Sequence, residues 1–286
     1  MTNHQLGLFA SGDNSVEFPL TIGHATVTAA STRSILTKAS GFMADYDFTL
    51  NPFGGCSYGC TYCYAAFFAR TEERQNDWGN WVEVKENALE VLRRMRTDLA
   101  GKSVYMSSVT DPYQPIERRL GLVRDLLAEL APRGVRLVVQ TRSPLVTRDI
   151  DVLAEFDAVR VNMTVTTDSD DVQRAFEPHC ATNSKRLEAI STVAAAGLPT
   201  AITMTPLLPL RDPARFAQEL KGTGVRDFVV QPFHADRGKF VAGTRDQALA
   251  IERELDWSPT RYREAVTILR KELPNLSEGK EGFAPE

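Results

Sequence analysis

The stretch Asn51-Pro-Phe-Gly-Gly-Cys-Ser-Tyr-Gly-Cys-Thr-Tyr-Cys-Tyr64 sets Cys56, Cys60 and Cys63 in a C-x3-C-x2-C run. A [4Fe-4S] cube ordinarily takes four cysteine ligands, so a lone triplet in a tight loop implies a cluster with one iron open to a ligand that is not protein. In this spacing the expected guest is S-adenosylmethionine. Its methionyl amine and carboxylate chelate the open iron, and an electron from the cluster then breaks the C5'–S bond to give a 5'-deoxyadenosyl radical. A zinc site with Cys180 or His179 as the fourth ligand is the alternative, although structural zinc sites favour paired C-x2-C knuckles. A disulfide framework fits poorly, because 4 cysteines in 286 residues, three of them crowded together, do not resemble a stapled secreted fold. No cleavable apolar leader opens the chain, and the expected location is the cytoplasm, where a reduced cluster survives.

Working outward, a hydrophobic content of 43% supports a sizeable core. No apolar run reaches membrane-spanning length, which points to a soluble enzyme and no membrane partner. The formal net charge of -4 argues against a general polyanion binder, since non-specific nucleic-acid affinity rests on an excess of Lys and Arg. Local basic patches remain, with Arg93, Arg94 and Arg96 on one expected helix and Arg118, Arg119 and Arg124 on the next. Such charges also describe an ordinary solvated helix face.

Downstream of the cysteines, apolar β-rich runs alternate with helical periodicity, the sign of parallel strands joined by crossover helices. Strands are expected at 46–51, 103–107, 135–140, 159–166, 200–205 and 227–231. Leu120, Val123, Leu127 and Leu130 form an apolar stripe on a helix spanning 117–131, and Leu187, Ile190 and Ala194 form another after Thr182. Pro132-Arg133-Gly134 stops the first helix, and Gly197 with Pro199 stops the second. The expected fold class is α/β, a partial (β/α)6 barrel with chemistry at the C-terminal strand ends. The cysteine loop follows the first strand, and Ser107, Ser108, Asp111, Thr141, Arg142, Asn162 and Thr164 end later ones. The expected organisation is an irregular N-terminal arm at 1–44, the barrel at 45–235, and a C-terminal helical segment at 236–286. That segment's helix begins near Thr244, and its Gly/Glu/Pro tail from Ser277 is expected to be disordered.

Ser34-Ile-Leu-Thr-Lys38, Thr49-Leu-Asn-Pro52, the cysteine loop, Lys85-Glu-Asn87, Thr110-Asp-Pro-Tyr-Gln-Pro-Ile-Glu117 and Phe176-Glu-Pro178 together resemble the spore photoproduct lyase-like branch of radical S-adenosylmethionine proteins. The resemblance covers residues 34–235, and it implies the partial barrel, one [4Fe-4S] cluster held by Cys56, Cys60 and Cys63, and hydrogen abstraction from an organic substrate. The substrate is a nucleobase or nucleic acid on one reading, which would use Arg118, Arg119, Tyr113 and Arg142 as a rim. It is a small metabolite or peptide on the other, and the competing reading from another class is a non-enzymatic cluster or zinc protein that uses the barrel as an interaction surface. A low-potential electron donor such as flavodoxin or ferredoxin is the implied partner.

Carried over residue by residue, Tyr62 matches the aromatic position along the cofactor adenine, with plain loop packing as the alternative. Arg142 resembles the basic residue that pairs with the cofactor carboxylate, a role suited to a guanidinium fork; a surface salt bridge is the other reading. Ser107 and Ser108 stand where the methionyl amine is met, and Asn162 and Thr164 where ribose or carboxylate is met, unless both pairs only cap strand ends. Tyr64 keeps a tyrosine that in the lyase belongs to a radical relay. The lyase's hydrogen-donor cysteine is replaced here by the stretch Ser107-Ser108-Val109-Thr110-Asp111, leaving Cys180 as the one other thiol. Asp111 is expected either to turn its carboxylate into the barrel mouth or merely to open an Asp-Pro turn.

Overall fold

The computed structural model describes residues 20–234 and 245–285. The first part of the expected arm, the start of the C-terminal segment at 236 and the helix start at Thr244 lie outside these residues.

Six parallel strands run side by side in chain order: β1 (Phe48–Leu50), β2 (Ser103–Met106), β3 (Arg136–Thr141), β4 (Ala158–Thr164), β5 (Thr200–Met204) and β6 (Asp227–Val230). They coincide with the runs expected from the sequence. The register carries Tyr105 beside Val138, Val138 beside Arg160, and Thr164 beside Thr203. Leu137, Val139, Val161, Met163, Ile202 and Met204 are buried against the outer helices, so each strand reads as a nearly continuous apolar run. The outer layer includes α1 (Ala88–Arg94), α2 (Leu122–Leu130), α3 (Asp170–Phe176), α4 (Asn183–Ala195) and α5 (Pro213–Gly222). The helix expected over 117–131 breaks at Gly121, whose φ of 66° ends Glu117–Leu120 before α2 begins. The result is the expected α/β partial barrel.

Two terminal expectations need correction. From Leu20 onward the arm is ordered: Leu20–Ile22 and Ala25–Ala30 join Trp81–Lys85 and Phe53–Gly55 in a separate four-stranded sheet, in the order 20–22, 25–30, 81–85, 53–55. Leu36–Lys38 pairs antiparallel with β1 and covers the barrel's first edge. The small residues of Ala25-Thr-Val-Thr-Ala-Ala30 hid the strand, because one partner is the short run 20–22 and the other, Trp81–Lys85, lies more than 50 positions away. The tail is ordered as well. Leu276–Glu278 pairs parallel with β6, and the turn that follows buries Phe283 under the barrel. Tyr46 donates its hydroxyl hydrogen to the Phe283 carbonyl at 2.6 Å, and the Tyr46 and Tyr105 rings meet edge to face at 5.1 Å. One buried aromatic is what low complexity concealed. Helices α6 (Asp246–Glu254) and α7 (Pro259–Glu272) complete the described chain.

Candidate active site

The cysteine loop leaves β1 through the short strand Phe53–Gly55 rather than directly, and packs between two flanks of the barrel mouth. On one flank the Ser57 N–H and hydroxyl donate to Gln114 Oε1 at 2.9 and 3.3 Å, and the Tyr58 hydroxyl donates to the Tyr113 carbonyl at 3.1 Å. On the other the Thr61 N–H donates to the Phe176 carbonyl at 2.8 Å, where α3 ends. The turn needs glycine at Gly59, where φ is 58° and an added Cβ would stand 3.1 Å from the Gly79 Cα. Quoted as family fragments, Thr49 to Pro52 and Lys85 to Asn87 prove to be the frame of this loop. Asn51 Oδ1 accepts from the N–H groups of Ser108 and Val109, while Lys85 Nζ donates to the Asn51 carbonyl at 2.7 Å.

All four cysteines are free thiols, and Cys56 and Cys60 are buried. Burial drives the Cys56 thiol far up and Cys63 up to about 11, each further opposed by its neighbouring cysteines. Cys60 differs. The Cys180 thiol, 3.7 Å away, and then the Arg142 guanidinium, 3.1 Å away, hold it below the ordinary range against its burial. Three soft sulfur donors on one glycine-shaped turn, with guanidinium charge beside them, fit a [4Fe-4S] cluster with an open iron. For a zinc site, the candidate fourth ligand His179 is engaged elsewhere, stacking on His24 at 3.7 Å.

Arg142, at the end of β3, lies over the loop. Its Nη1 donates to the Tyr62 hydroxyl at 2.7 Å, to Glu177 Oε1 at 3.1 Å and to Cys60 Sγ, and its Cζ stands 5.7 Å from the Tyr62 ring centroid. The surface-salt-bridge reading fails, since the Glu177 side chain is fully buried and that of Arg142 only 16% exposed. Tyr62 in turn donates to Glu177 at 2.5 Å, as does the Thr166 hydroxyl at 3.0 Å, and Arg186 Nη2 pairs with the other carboxylate oxygen at 2.5 Å. Burial alone would raise the Glu177 carboxyl, yet Arg186 and then Arg142 hold it below the usual range. Removing one partner of such a buried pair typically costs about 3 to 5 kcal/mol.

Asp111 answers to both of its readings in part. Its carboxylate is buried, with Oδ1 accepting from the Tyr113 N–H at 2.9 Å, which is the turn, and from the Thr141 hydroxyl at 2.7 Å. Oδ2 accepts from the Arg142 N–H at 2.9 Å, which fixes the end of β3. Burial still pushes the carboxyl up, despite these bonds. The oxygens that were expected to meet cofactor or substrate are thus bonded to the chain. Tyr64 is tied to the same strand-end region, its hydroxyl donating to the Ser108 carbonyl at 2.5 Å. Ser107 donates to the Leu50 carbonyl, and Ser108 Oγ accepts from Asn51 Nδ2, so both serve as strand-end caps. Thr164 accepts from Gln140 Nε2 at 2.8 Å and meets Thr203 at 3.1 Å, while Asn162 is fully buried one layer deeper.

Tyr113 is fully buried, which removes it from the expected rim. Arg93 pairs with Glu129 and Arg94 with Glu90, as solvated helix faces do, while Arg124 joins buried Asp149 to exposed Asp151. Arg118 and Arg119 are exposed on the short helix Glu117–Leu120. Glu177, Arg186 and Arg245 were not singled out in the sequence reading. Arg245 reaches the Cys60 and Thr61 carbonyls at 3.5 Å and places a second guanidinium beside the loop. Arg186 carried a signal of its own, since it shares a helix face with Ile190 and Val193 yet is charged.

Comparison with known proteins supplies an independent line. The family model described as the radical SAM superfamily matches residues 50–220. An uncharacterized protein of Methanocaldococcus jannaschii is 34% identical over 162 residues, covering 57% of this chain and 61% of that protein. An uncharacterized protein of Mycobacterium tuberculosis is 30% identical over 260 residues, covering 82% of this chain and 76% of the relative. Among solved structures, a spore photoproduct lyase mutant with bound AdoMet and dinucleoside spore photoproduct superposes with a TM-score of 0.62 at 14% identity, covering 88% of this chain and 81% of that one. At that identity the likeness speaks for the fold alone.

Proposed function

The chain belongs to the radical S-adenosylmethionine superfamily, and on that premise we propose that it cleaves S-adenosylmethionine reductively and uses the product radical to abstract hydrogen from an organic substrate. The family implies a [4Fe-4S] cluster and S-adenosylmethionine, which together supply an electron and a 5'-deoxyadenosyl radical when bound. The observation that carries the reading is the meeting of the cysteine turn with Arg142 and Tyr62 at the C-terminal ends of the barrel strands. In this reading Cys56, Cys60 and Cys63 hold the cluster. Arg142 grips the cofactor carboxylate through a charge-assisted fork. Tyr62 lies along the adenine; the strand end capped by Ser107 and Ser108 meets the methionyl amine, and the one ending at Thr164 meets ribose or carboxylate, with buried Asn162 supporting it from the layer beneath. Tyr64 and Asp111 complete the site: Tyr64 borders the reacting centre, and Asp111 holds the Arg142 main chain in place. Residues 45–235 would be the working barrel, acting in the cytoplasm with a flavodoxin-like or ferredoxin-like donor.

For the substrate, a nucleobase or nucleic acid is favoured by the barrel's likeness to the lyase solved with dinucleoside spore photoproduct and by exposed Arg118 and Arg119. The net charge of -4 is the observation behind the second reading, a small metabolite or peptide. Anaerobic incubation of reconstituted protein with S-adenosylmethionine and dithionite, followed by mass spectrometry, should yield 5'-deoxyadenosine. Absence of that product from protein carrying a full complement of iron would overturn the proposal. Salt-dependent DNA binding separates the two substrate classes.

A further inference from the structure

We propose that Glu177, clamped by Arg186, is a positioning residue that sets Arg142 for the cofactor carboxylate. The inference rests on the functional reading above and concerns how its key cation is prepared. The Glu177 carboxylate is fully buried and binds four elements together: the cysteine loop through Tyr62, the end of β3 through Arg142, the segment after β4 through Thr166, and α4 through Arg186. Within this hub two guanidiniums share one carboxylate. Arg186 is itself fully buried, and it also donates from Nη1 to the Thr164 carbonyl and from Nε to the Ala181 carbonyl. It therefore cannot swing away, and it fixes the carboxylate on which Arg142 leans.

Among the described residues the Arg142 guanidinium donates from Nη1 alone, to Tyr62, Glu177 and Cys60, while its main-chain N–H is held separately by Asp111. Among the described residues neither Nη2 nor Nε of Arg142 has a hydrogen-bond partner, so one arm of the fork is pinned and the other donors are free for an incoming carboxylate. An unpinned arginine must surrender the freedom of its long side chain when it binds, whereas this one has surrendered it on folding. The carboxylate also guards the position electrostatically. Without it, Arg142 would share a buried site with the like charge of Arg186, and mutual repulsion would drive the fork out of place. Glu177 thus acts through Arg142 and needs no contact with the cofactor.

The test is a double-mutant cycle on anaerobically reconstituted protein, reading the dissociation constant for S-adenosylmethionine and the iron content together. Glu177→Gln keeps the shape and an acceptor for Tyr62 but removes the charge, and it should weaken binding roughly tenfold, or one decade of Kd, with iron content unchanged. Arg142→Gln should cost at least as much, since it removes both the charge and the fork. The combined variant should be no weaker than Arg142→Gln alone, because a positioning residue then has no cation left to position. Losses that multiply to about a hundredfold, or a Glu177→Gln constant equal to wild type, would overturn the inference. Should Glu177→Gln fail to fold with Arg186 left unpaired, Glu177→Gln with Arg186→Gln removes both charges and takes its place in the cycle. Wild-type protein that loads iron but does not bind the cofactor would sink the functional reading itself, an outcome separate from any result of the cycle.

Discussion

The two ends of the barrel are built from the same strands and filled on opposite principles. At the C-terminal end, buried charges crowd the cysteine turn: Asp111, Glu177 and Arg186 are all buried, and Arg142 nearly so. At the N-terminal end, Met43, Tyr46, Tyr105, Val138, Val229 and Phe283 make an aromatic and aliphatic plug. Desolvated charge is costly and is tolerated where each group is paired, while apolar burial stabilises at about 25 cal/mol per Å² without needing a partner of opposite sign. The contrast assigns stability to the floor and chemistry to the mouth, the division expected of barrels of parallel strands. Variants at the mouth should therefore cost function at nearly constant stability, and variants at the floor the reverse.

The largest effect that could break this division is expected at the cysteines. Cys60→Ser should lose essentially all cluster iron and all 5'-deoxyadenosine formation, while the thermal midpoint of the iron-free protein stays close to that of iron-free wild type. Cys180→Ala should keep its iron, even though the two sulfurs lie 3.7 Å apart, because Cys180 reaches the loop from outside the turn. Iron and absorbance measured on both variants decide the matter. Iron lost from Cys180→Ala and kept in Cys60→Ser would reverse the ligand assignment.

How far this division was legible in the sequence depends on the range of the interactions that make it. The strands were legible, because runs such as Arg136-Leu-Val-Val-Gln-Thr141 and Thr200-Ala-Ile-Thr-Met204 are buried on both faces and need few polar positions. The cysteine turn was legible because all three sulfurs stand within one local loop. Glu177 was quoted only as part of a motif fragment, and its role was hidden because its partners Tyr62 and Arg142 lie 115 and 35 positions away. Arg186 looked like helix surface in a stripe drawn through Leu187, Ile190 and Ala194, whereas the buried face runs through Asn183, Arg186, Ile190 and Val193. Phe283 sat in a segment whose composition reads as unfolded, and only its docking under the barrel, 237 positions from Tyr46, gives it structure.

At the floor the expected effect is on stability. Phe283→Ala removes the ring that meets Phe42 at 5.6 Å and Tyr105 at 6.5 Å, and it should cost about 3 kcal/mol by chemical denaturation, the usual range for a buried Phe. Under native conditions iron loading and cofactor affinity should match wild type within twofold. A variant that keeps its stability but loses cofactor binding would mean that the plug reaches the mouth, and the division of labour would fall with it.

The smallest effect is expected at Asp111, which stands at the mouth yet is bonded like a structural residue. Asp111→Asn keeps one oxygen, which can go on accepting from the Tyr113 N–H and the Thr141 hydroxyl, so the turn survives. The new amide then faces the Arg142 N–H donor to donor, and a buried donor left unsatisfied costs about 1 to 3 kcal/mol. Part of that cost is offset, because the variant no longer buries a carboxylate whose pKa burial has raised. The net loss should be near 1 kcal/mol at neutral pH. The pH dependence carries the sign. A raised acid favours the folded state most when protonated, so this group's contribution is lost as pH rises from the ordinary aspartate value toward the elevated one, and it stays lost above. The wild-type protein should show that decline in denaturation midpoints taken across the acid range, and Asp111→Asn should show less of it. With the Arg142 main chain released, S-adenosylmethionine binding in Asp111→Asn should weaken severalfold while iron stays in place. If binding and 5'-deoxyadenosine formation instead match wild type, Asp111 is a turn residue that happens to sit at the mouth, and the boundary between the two ends of the barrel runs above it.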